Sequence, residues 1–224
     1  MSRFTETMTD FAAEREAMVE RQLKRRGITD TSILEAFRAV PREQFVGIEH
    51  AALAYGDHPL PIEAGQTISQ PYIVGLMIDA ARIRPRDKVL EVGAGSGYAA
   101  AVISRIADKV IAIERQQQLV IVARERLARL GYANVEIVEG DGTRGWPDEA
   151  PFDAILTAAS GSHVPEALIA QLAPGGRLVM PIGDPGAVQE LVKVTKQEDR
   201  MLKQENLGLV RFVPLIGEEG WEEW

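Results

Sequence analysis

The chain has 224 residues with 25 Lys+Arg against 33 Asp+Glu, a net charge of −8, and 46% hydrophobic and 26% charged residues. That balance excludes intrinsic disorder and fibrous repeats, and the absence of cysteine excludes disulfides, thiolate nucleophiles and Cys-ligated metals. The acidic excess argues against a nucleic-acid partner, because phosphate-backbone affinity comes from Lys and Arg displacing counterions. The three histidines, His50, His58 and His163, are scattered without metal-ligand spacing, so no metal is expected. Met1 to Met18 lacks the apolar core of a signal peptide. The longest apolar runs, such as Ala99 to Ile103, fall far below the ~20 residues of a membrane span. A soluble cytoplasmic protein without a membrane partner is the expectation.

In chain order, Asp10 to Arg26 reads as a helix stopped by Gly27. Ser32 to Ala39 reads as a second, with Ser32 and Glu35 at capping-box spacing and Pro41 beyond its end. Phe45 to Ser69 is irregular and carries Gly47, Gly56, Pro59, Pro61 and Gly65; a loop that long in a compact domain is functional or disordered. Ser69-Gln70-Pro71 predicts a helix start with Ser69 as N-cap and Pro71 in the first turn, the helix running to about Ile83. From Lys88 the pattern alternates. Short β-branched runs at Val89–Val92, Val110–Ile113, Val135–Val138, Phe152–Leu156 and Leu178–Met180 are separated by helical segments at Tyr98–Ala107, Gln117–Leu130 and Pro165–Leu172. The spacing suits βαβ crossovers, and strands apolar on both faces suit a parallel sheet covered on both sides. Val188–Thr195 and Met201–Val213, joined by Lys196–Arg200, predict a hairpin at the sheet edge. The expected fold is α/β: a doubly wound, mostly parallel seven-stranded sheet. Residues 1–83 form a helical extension with the active-site loop and 84–224 the core, in one compact unit.

The stretch Val89-Leu90-Glu91-Val92-Gly93-Ala94-Gly95-Ser96-Gly97-Tyr98 runs from a strand through a glycine turn into a helix. Such a turn lets a ligand approach the backbone, and three alternate glycines at a sheet's carboxyl edge favour cofactor binding over a bare turn. Tyr98 stands where a dinucleotide fingerprint needs its third glycine, and Glu91 would repel a pyrophosphate but accept from an ammonium. No phosphate-binding loop of the G-x-x-x-x-G-K-[ST] type occurs, nor a G-x-S-x-G elbow. Glu114, at the end of the second of these strands, can take both hydroxyls of a ribose. In Gly140-Asp141-Gly142, Asp141 can accept from an adenine amino group, although an Asp–Gly turn alone would look the same. Together the three acids outline a site for S-adenosylmethionine.

These residues resemble the class I S-adenosylmethionine-dependent methyltransferases. The segment Asp57-His58-Pro59-Leu60-Pro61-Ile62-Glu63-Ala64-Gly65-Gln66-Thr67-Ile68-Ser69-Gln70-Pro71-Tyr72-Ile73-Val74 narrows the resemblance to the protein-L-isoaspartate O-methyltransferase family. The likeness extends through Met18–Gly27, Pro151–Ile155, Ala158-Ala159, Val164-Pro165, Leu172–Gly183 and Phe212–Leu215, nearly the whole chain. It implies that Ser69 is the active-site residue. Glu91, Gly93, Gly95, Gly97, Glu114, Gly140, Asp141 and Gly142 would bind the cofactor, and Thr67 and Ile68 would line the boundary with the substrate. The chain departs from many relatives at Ala94, Ala99, Ser160-Gly161-Ser162-His163 and Ile216.

The implied reaction moves a methyl group to the free α-carboxylate of an isoaspartyl residue, the first step of repair through a succinimide. Isoaspartyl proteins and peptides would be the partners, and a monomer is favoured. An α-carboxyl with a pKa of about 3.3–3.7 is already ionised, so no general base is needed and Ser69 would orient rather than activate. Two other readings remain open at this stage: a methyltransferase for a small metabolite or RNA, and a non-catalytic S-adenosylmethionine-binding module. His163 reads as a solvent-facing loop residue, Trp146 and Trp221 as surface packing, and Arg124, Arg126 and Arg129 as a solvated helix face.

Overall fold

The computed structural model describes residues 10–199 and 201–222. Expectations for Met1 to Thr9, for Arg200 in the hairpin turn and for the end of the tail at Glu223 and Trp224 lie outside these residues. Helix α1 (Phe11–Met18) starts where Asp10 accepts the Ala12 and Ala13 amides, both at 3.1 Å. The chain continues through a π turn over Val19–Leu23 and a tight turn over Lys24–Arg26, and stops at Gly27 with φ 99°. The single helix expected over this stretch is therefore continuous but widened in its middle. Helix α2 (Thr31–Ala39) is capped by Asp30, not by Ser32. The Asp30 carboxylate, a charged and stronger acceptor, takes both the amide and the hydroxyl of Ser32, at 2.8 and 2.6 Å.

The irregular stretch is ordered. Two-residue strands β1 (Leu60–Pro61) and β2 (Thr67–Ile68) form an antiparallel ribbon, closed by a turn with Ala64 at φ 55° and Gly65 at φ 68°. Helix α3 (Pro71–Ala81) follows with Pro71 in its first turn. Its N-cap is Gln70, which makes no side-chain cap hydrogen bond, so Ser69 does not cap it. The fixed φ of Pro71 sets the helix start one residue too late for Ser69. Strands β3 (Lys88–Val92), β4 (Lys109–Glu114), β5 (Val135–Glu139), β6 (Phe152–Thr157) and β7 (Leu172–Ile182) are parallel, and β8 (Gln189–Lys196) and β9 (Leu202–Val210) add antiparallel. The order across the sheet is β5-β4-β3-β6-β7-β8-β9, seven strands. Helices α4 (Tyr98–Ile103), α5 (Gln117–Arg129) and α6 (Glu166–Ala170) make the crossovers. Among the described residues no helix is long and apolar enough to cross a membrane.

Successive residues of β3 serve opposite faces. Val89 packs in an apolar cluster with Leu23, Phe37, Phe45, Ile78 and Tyr98, while Leu90 packs with Ile111, Phe152, Leu168 and Leu178. Both faces are covered, as apolar strands of a parallel sheet require. The amino-terminal helices share the first cluster with the sheet: a Cβ on Gly75 of α3 would come within 2.8 Å of Ile28 and 3.0 Å of Leu23. Phe37, fully buried, meets Tyr98 edge-on at 6.2 Å. Phe37→Ala is expected to cost about 3–5 kcal/mol in a single urea transition. A loss below about 1 kcal/mol, or a separate early transition of the first 40 or so residues, would show that these helices are appended rather than part of the core.

Candidate active site

Strand β3 lies between β4 and β6. The crossovers diverge there, and that point opens a crevice at the carboxyl ends of the strands. The glycine turn folds back over the crevice. The amides of Gly93 and Ala94 both donate to the carbonyl of Ile113, at 2.9 and 3.0 Å, and the Ala158 amide donates to Val92 at 2.8 Å. Gly93, Gly95 and Gly97 have φ of 89°, 52° and 84°, a region that side chains disfavour. The turn is anchored from the next strand: Glu114 accepts the Gly95 amide with one carboxylate oxygen and the Gln116 amide with the other, both at 2.9 Å. Each oxygen can accept a second bond, so Glu114 keeps capacity for a pair of hydroxyls.

A cavity of about 220 Å³ occupies the crevice. Of the residues expected at the site, Glu91, Gly93, Gly95, Glu114 and Gly142 line its sheet side and Thr67, Ile68 and Ser69 line the facing wall, with Val213 to Ile216 completing it. Gly97, Gly140 and Asp141 are not among the lining residues. Gly97 faces α5, where a Cβ would stand 3.3 Å from Leu127, and Gly140 donates its amide to the Glu114 carbonyl at 3.1 Å. Asp141 accepts from the Thr143 amide and hydroxyl at 2.9 and 2.7 Å and from the Glu218 amide at 2.8 Å. Burial pushes its carboxyl up, but these hydrogen bonds and Arg144 hold it below the usual range.

Glu91 is 2% exposed. One of its carboxylate oxygens has no hydrogen-bond partner in the structure. Desolvation, and secondly the nearby Glu114 charge, push its carboxyl up to about 8. A buried carboxylate that lines a cavity with one oxygen unpartnered fits a ligand carrying a positive charge or several N–H donors. With Glu114 and the glycine turn beside it, the set of acceptors fits an amino-acid nucleoside.

A second groove of about 590 Å³, lined by Pro59, Gln70, Ile73, Arg211 and Phe212 among others, shares Thr67, Ser69, Ala158 and Val213 with the cavity. Ser69 thus stands on the rim between two spaces. The described tail packs rather than frays: the Trp221 indole donates to the Ser160 carbonyl at 2.9 Å, and Glu219 accepts the Glu166 amide at 2.6 Å. Trp221 is therefore a tether rather than mere surface packing. His163 is exposed, as expected.

Two arginines of the site were not legible as such. Arg42 is fully buried and donates to the carbonyls of Ala54 and Ser69, at 2.7 and 2.9 Å, with its guanidinium 4.8 Å from the Tyr98 ring centre. No periodic signal marks it. Arg126 is 8% exposed, which corrects the reading of a solvated arginine face. It donates to the Ser96 carbonyl at 2.9 Å and to Glu63 at 3.1 Å. Its partners on that face are also engaged: Arg124 donates to the Ile137 carbonyl and Arg129 to Gln44. The register did contain a signal, since Arg126 falls on the stripe of Leu119, Ala123 and Leu127 that α5 buries.

The sequence model of the family described as protein-L-isoaspartate(D-aspartate) O-methyltransferase matches residues 13–220. Protein-L-isoaspartate O-methyltransferase 2 of Pelobacter propionicus is 54% identical over 207 residues, 92% of this chain and 92% of the relative. The enzyme of Methylorubrum extorquens is 56% identical over 212 residues, covering 95% of this chain and 92% of its own. A solved protein-L-isoaspartate O-methyltransferase superposes with a TM-score of 0.81 at 30% identity, over 92% of this chain and 66% of that longer one. Another, from Plasmodium falciparum and in complex with S-adenosyl-L-homocysteine, gives a TM-score of 0.77 at 27% identity, over 90% of this chain and 98% of that one. With the crevice, the acidic strand ends and the Ser69 rim on the same chain, this protein belongs to the protein-L-isoaspartate(D-aspartate) O-methyltransferase family.

Proposed function

We propose that Ser69 orients the α-carboxylate of an L-isoaspartyl residue at the rim, while Glu91, Glu114, the glycine turn and Gly142 hold S-adenosylmethionine in the cavity behind it. The chain is an O-methyltransferase of isoaspartyl residues by family membership; the assignment of roles to residues is ours. The observation that carries it is the position of Ser69 on the wall shared by a cavity with an unsatisfied carboxylate and a groove open to a polypeptide. When bound, S-adenosylmethionine supplies an electrophilic methyl group. The protein then has three tasks: to place the nucleophile, to keep water out and to steady the cofactor's cationic end. A general base is not among them, because the α-carboxylate is ionised at neutral pH. A hydroxyl in firm hydrogen bond to that carboxylate would damp its nucleophilicity, so Ser69 aligns it. Thr67 and Ile68 form the boundary, and Val213 to Ile216 cover the cavity.

Asp141 and Gly140 act on the cofactor indirectly in this reading, by fixing the tail and the end of β5. Partners are isoaspartyl proteins and peptides, without nucleic acid or membrane, and we place the monomer in the cytoplasm. The net charge of −8 supports this choice of partner over RNA. An isoaspartyl peptide and its normal aspartyl twin, incubated in parallel with radiolabelled cofactor, test the reaction. Base-labile label that leaves as methanol from the isoaspartyl peptide alone is expected. Label stable to alkali would point to N- or ribose methylation instead.

Ser69→Ala is expected to lower kcat by about 10- to 100-fold with the affinity for S-adenosylhomocysteine unchanged; normal turnover by the folded variant would remove Ser69 from the reaction. Glu91 gives a pH prediction. Its carboxyl lies near 8 in the folded protein and near 4.5 when unfolded, so its proton-linked stability is present below pH 4.5 and is lost as pH rises through 8. Glu91→Gln should therefore gain in Tm over the wild type between pH 5 and pH 8.5. Affinity of the wild type for S-adenosylhomocysteine should rise over pH 6.5–8.5 as Glu91 ionises, and the variant should not show the rise. Parallel pH profiles in calorimetry would contradict the role of Glu91.

A further inference from the structure

The loop that carries Ser69 has no backbone pairing to the sheet: β1 and β2 pair with each other alone. Leu60 and Ile68 pack into the core beside it, and arginine side chains make the polar connection. Arg42 grips the carbonyl of Ser69 itself and lies over Tyr98, the first residue of α4. Arg126 grips the far end. One guanidinium nitrogen donates to the Ser96 carbonyl inside the glycine turn, and another donates to Glu63 at the tip of the β1–β2 turn. The second oxygen of Glu63 is buried without a partner. The backbone beside that carboxylate is strained, with Ala64 at φ 55°, a conformation an alanine seldom adopts. The apolar neighbour Ile62 reaches toward the same glycine turn, its Cδ1 lying 3.5 Å from the point where a Cβ on Gly95 would stand.

We infer that Glu63 and Arg126 are a positioning pair for methyl transfer, holding the tip of the Ser69 loop against the glycine turn and so setting the width of the cavity between Ser69 and Glu91. The ribbon does not need the pair to close, since the Ile62 amide already donates to the Gln66 carbonyl at 2.8 Å and Leu60 pairs with Ile68. What the pair adds is a tertiary distance. Removing Glu63 leaves the largely buried Arg126 guanidinium without its carboxylate partner, and removing either member frees the loop tip to shift. Methyl transfer depends steeply on such a shift, because misplacement by about 1 Å can cost about 100-fold in rate. Ground-state binding depends on it less, because the glycine turn keeps its own hydrogen bonds to Ile113 and Glu114.

This inference rests on the assignment of Ser69 above, and the test separates the two. Wild type, Glu63→Ala, Glu63→Gln, Arg126→Gln and the double variant Glu63→Ala/Arg126→Gln are assayed with an isoaspartyl peptide. Circular dichroism and the Kd for S-adenosylhomocysteine are recorded for each. Glu63→Ala should lose about 10- to 100-fold in kcat with peptide KM and cofactor-product Kd within about twofold of wild type. Glu63→Gln, which keeps an acceptor for Arg126, should recover part of that loss, and the double variant should be no slower than the slower single. A folded Glu63→Ala with wild-type kcat, a loss confined to Tm, or losses that multiply in the double variant would overturn the pair's role. If Glu63→Ala fails to fold, wild-type kcat in a folded Arg126→Gln, which removes the donor to Glu63, overturns it equally. A wild type that leaves isoaspartyl peptide unmethylated overturns the Ser69 assignment and the pair together.

Discussion

Glu91 occupies a position where a carboxylate is expensive. It sits between Leu90 and Val92 on a central parallel strand, 2% exposed, with one oxygen unpaired and the charge of Glu114 close enough to push it up further. An isolated carboxylate in such surroundings costs several kcal/mol or takes up a proton. A fold that needed only packing would place valine or isoleucine there, as it does at Val89 and Val92 of the same strand. The surrounding construction follows from keeping that carboxylate at the edge of an open space. The switch point between β4 and β6 provides the crevice, the left-handed glycines let the chain turn back without filling it, and Glu114 spends its first hydrogen bonds on fixing the turn.

The opposite wall is built by different means. The Ser69 loop is a short ribbon that lends Leu60 and Ile68 to the core, and two arginines whose charge is drawn into the interior make its polar ties. Arg42 has no carboxylate partner among its described contacts; two carbonyls and an aromatic face hold it, and desolvation holds its pKa below the usual arginine value. The site therefore joins a rigid, sheet-borne half to a half held by side chains. The division suits a reaction in which the nucleophile arrives charged and needs placement rather than activation. It also explains why the cavity and the outer groove meet at Ser69 rather than at a histidine or a buried acid–base pair.

The sheet was legible because its strands are short β-branched runs at crossover spacing, and the glycine turn because three glycines in alternate positions have few other uses. Gly93, Gly95 and Glu114 were readable for the same reason: backbone demands at strand ends leave marks in residue type. Asp141 was readable as a strand-end acid, but its hydrogen bonds to Thr143 and to Glu218, 77 residues later, are tertiary and leave no local trace. The caps went astray by one or two residues. Asp30 displaced Ser32 because its carboxylate, a charged acceptor, takes both the amide and the hydroxyl of Ser32 and so starts the helix two residues earlier, and Pro71 fixed the start of α3 beyond the reach of Ser69. Arg126 carries the charge of a solvated face but the register of the buried stripe of α5, and the register decides its place.

The central claim is that the two walls face each other across the reacting groups. A crystal structure of the protein with S-adenosylhomocysteine and an isoaspartyl peptide tests it most directly. The account predicts the amino-acid end of the nucleoside beside Glu91, its ribose hydroxyls on Glu114, and the peptide carboxylate within hydrogen-bond distance of the Ser69 hydroxyl. A nucleoside bound away from Glu91 and Glu114, or a peptide carboxylate held elsewhere than at Ser69, would contradict it.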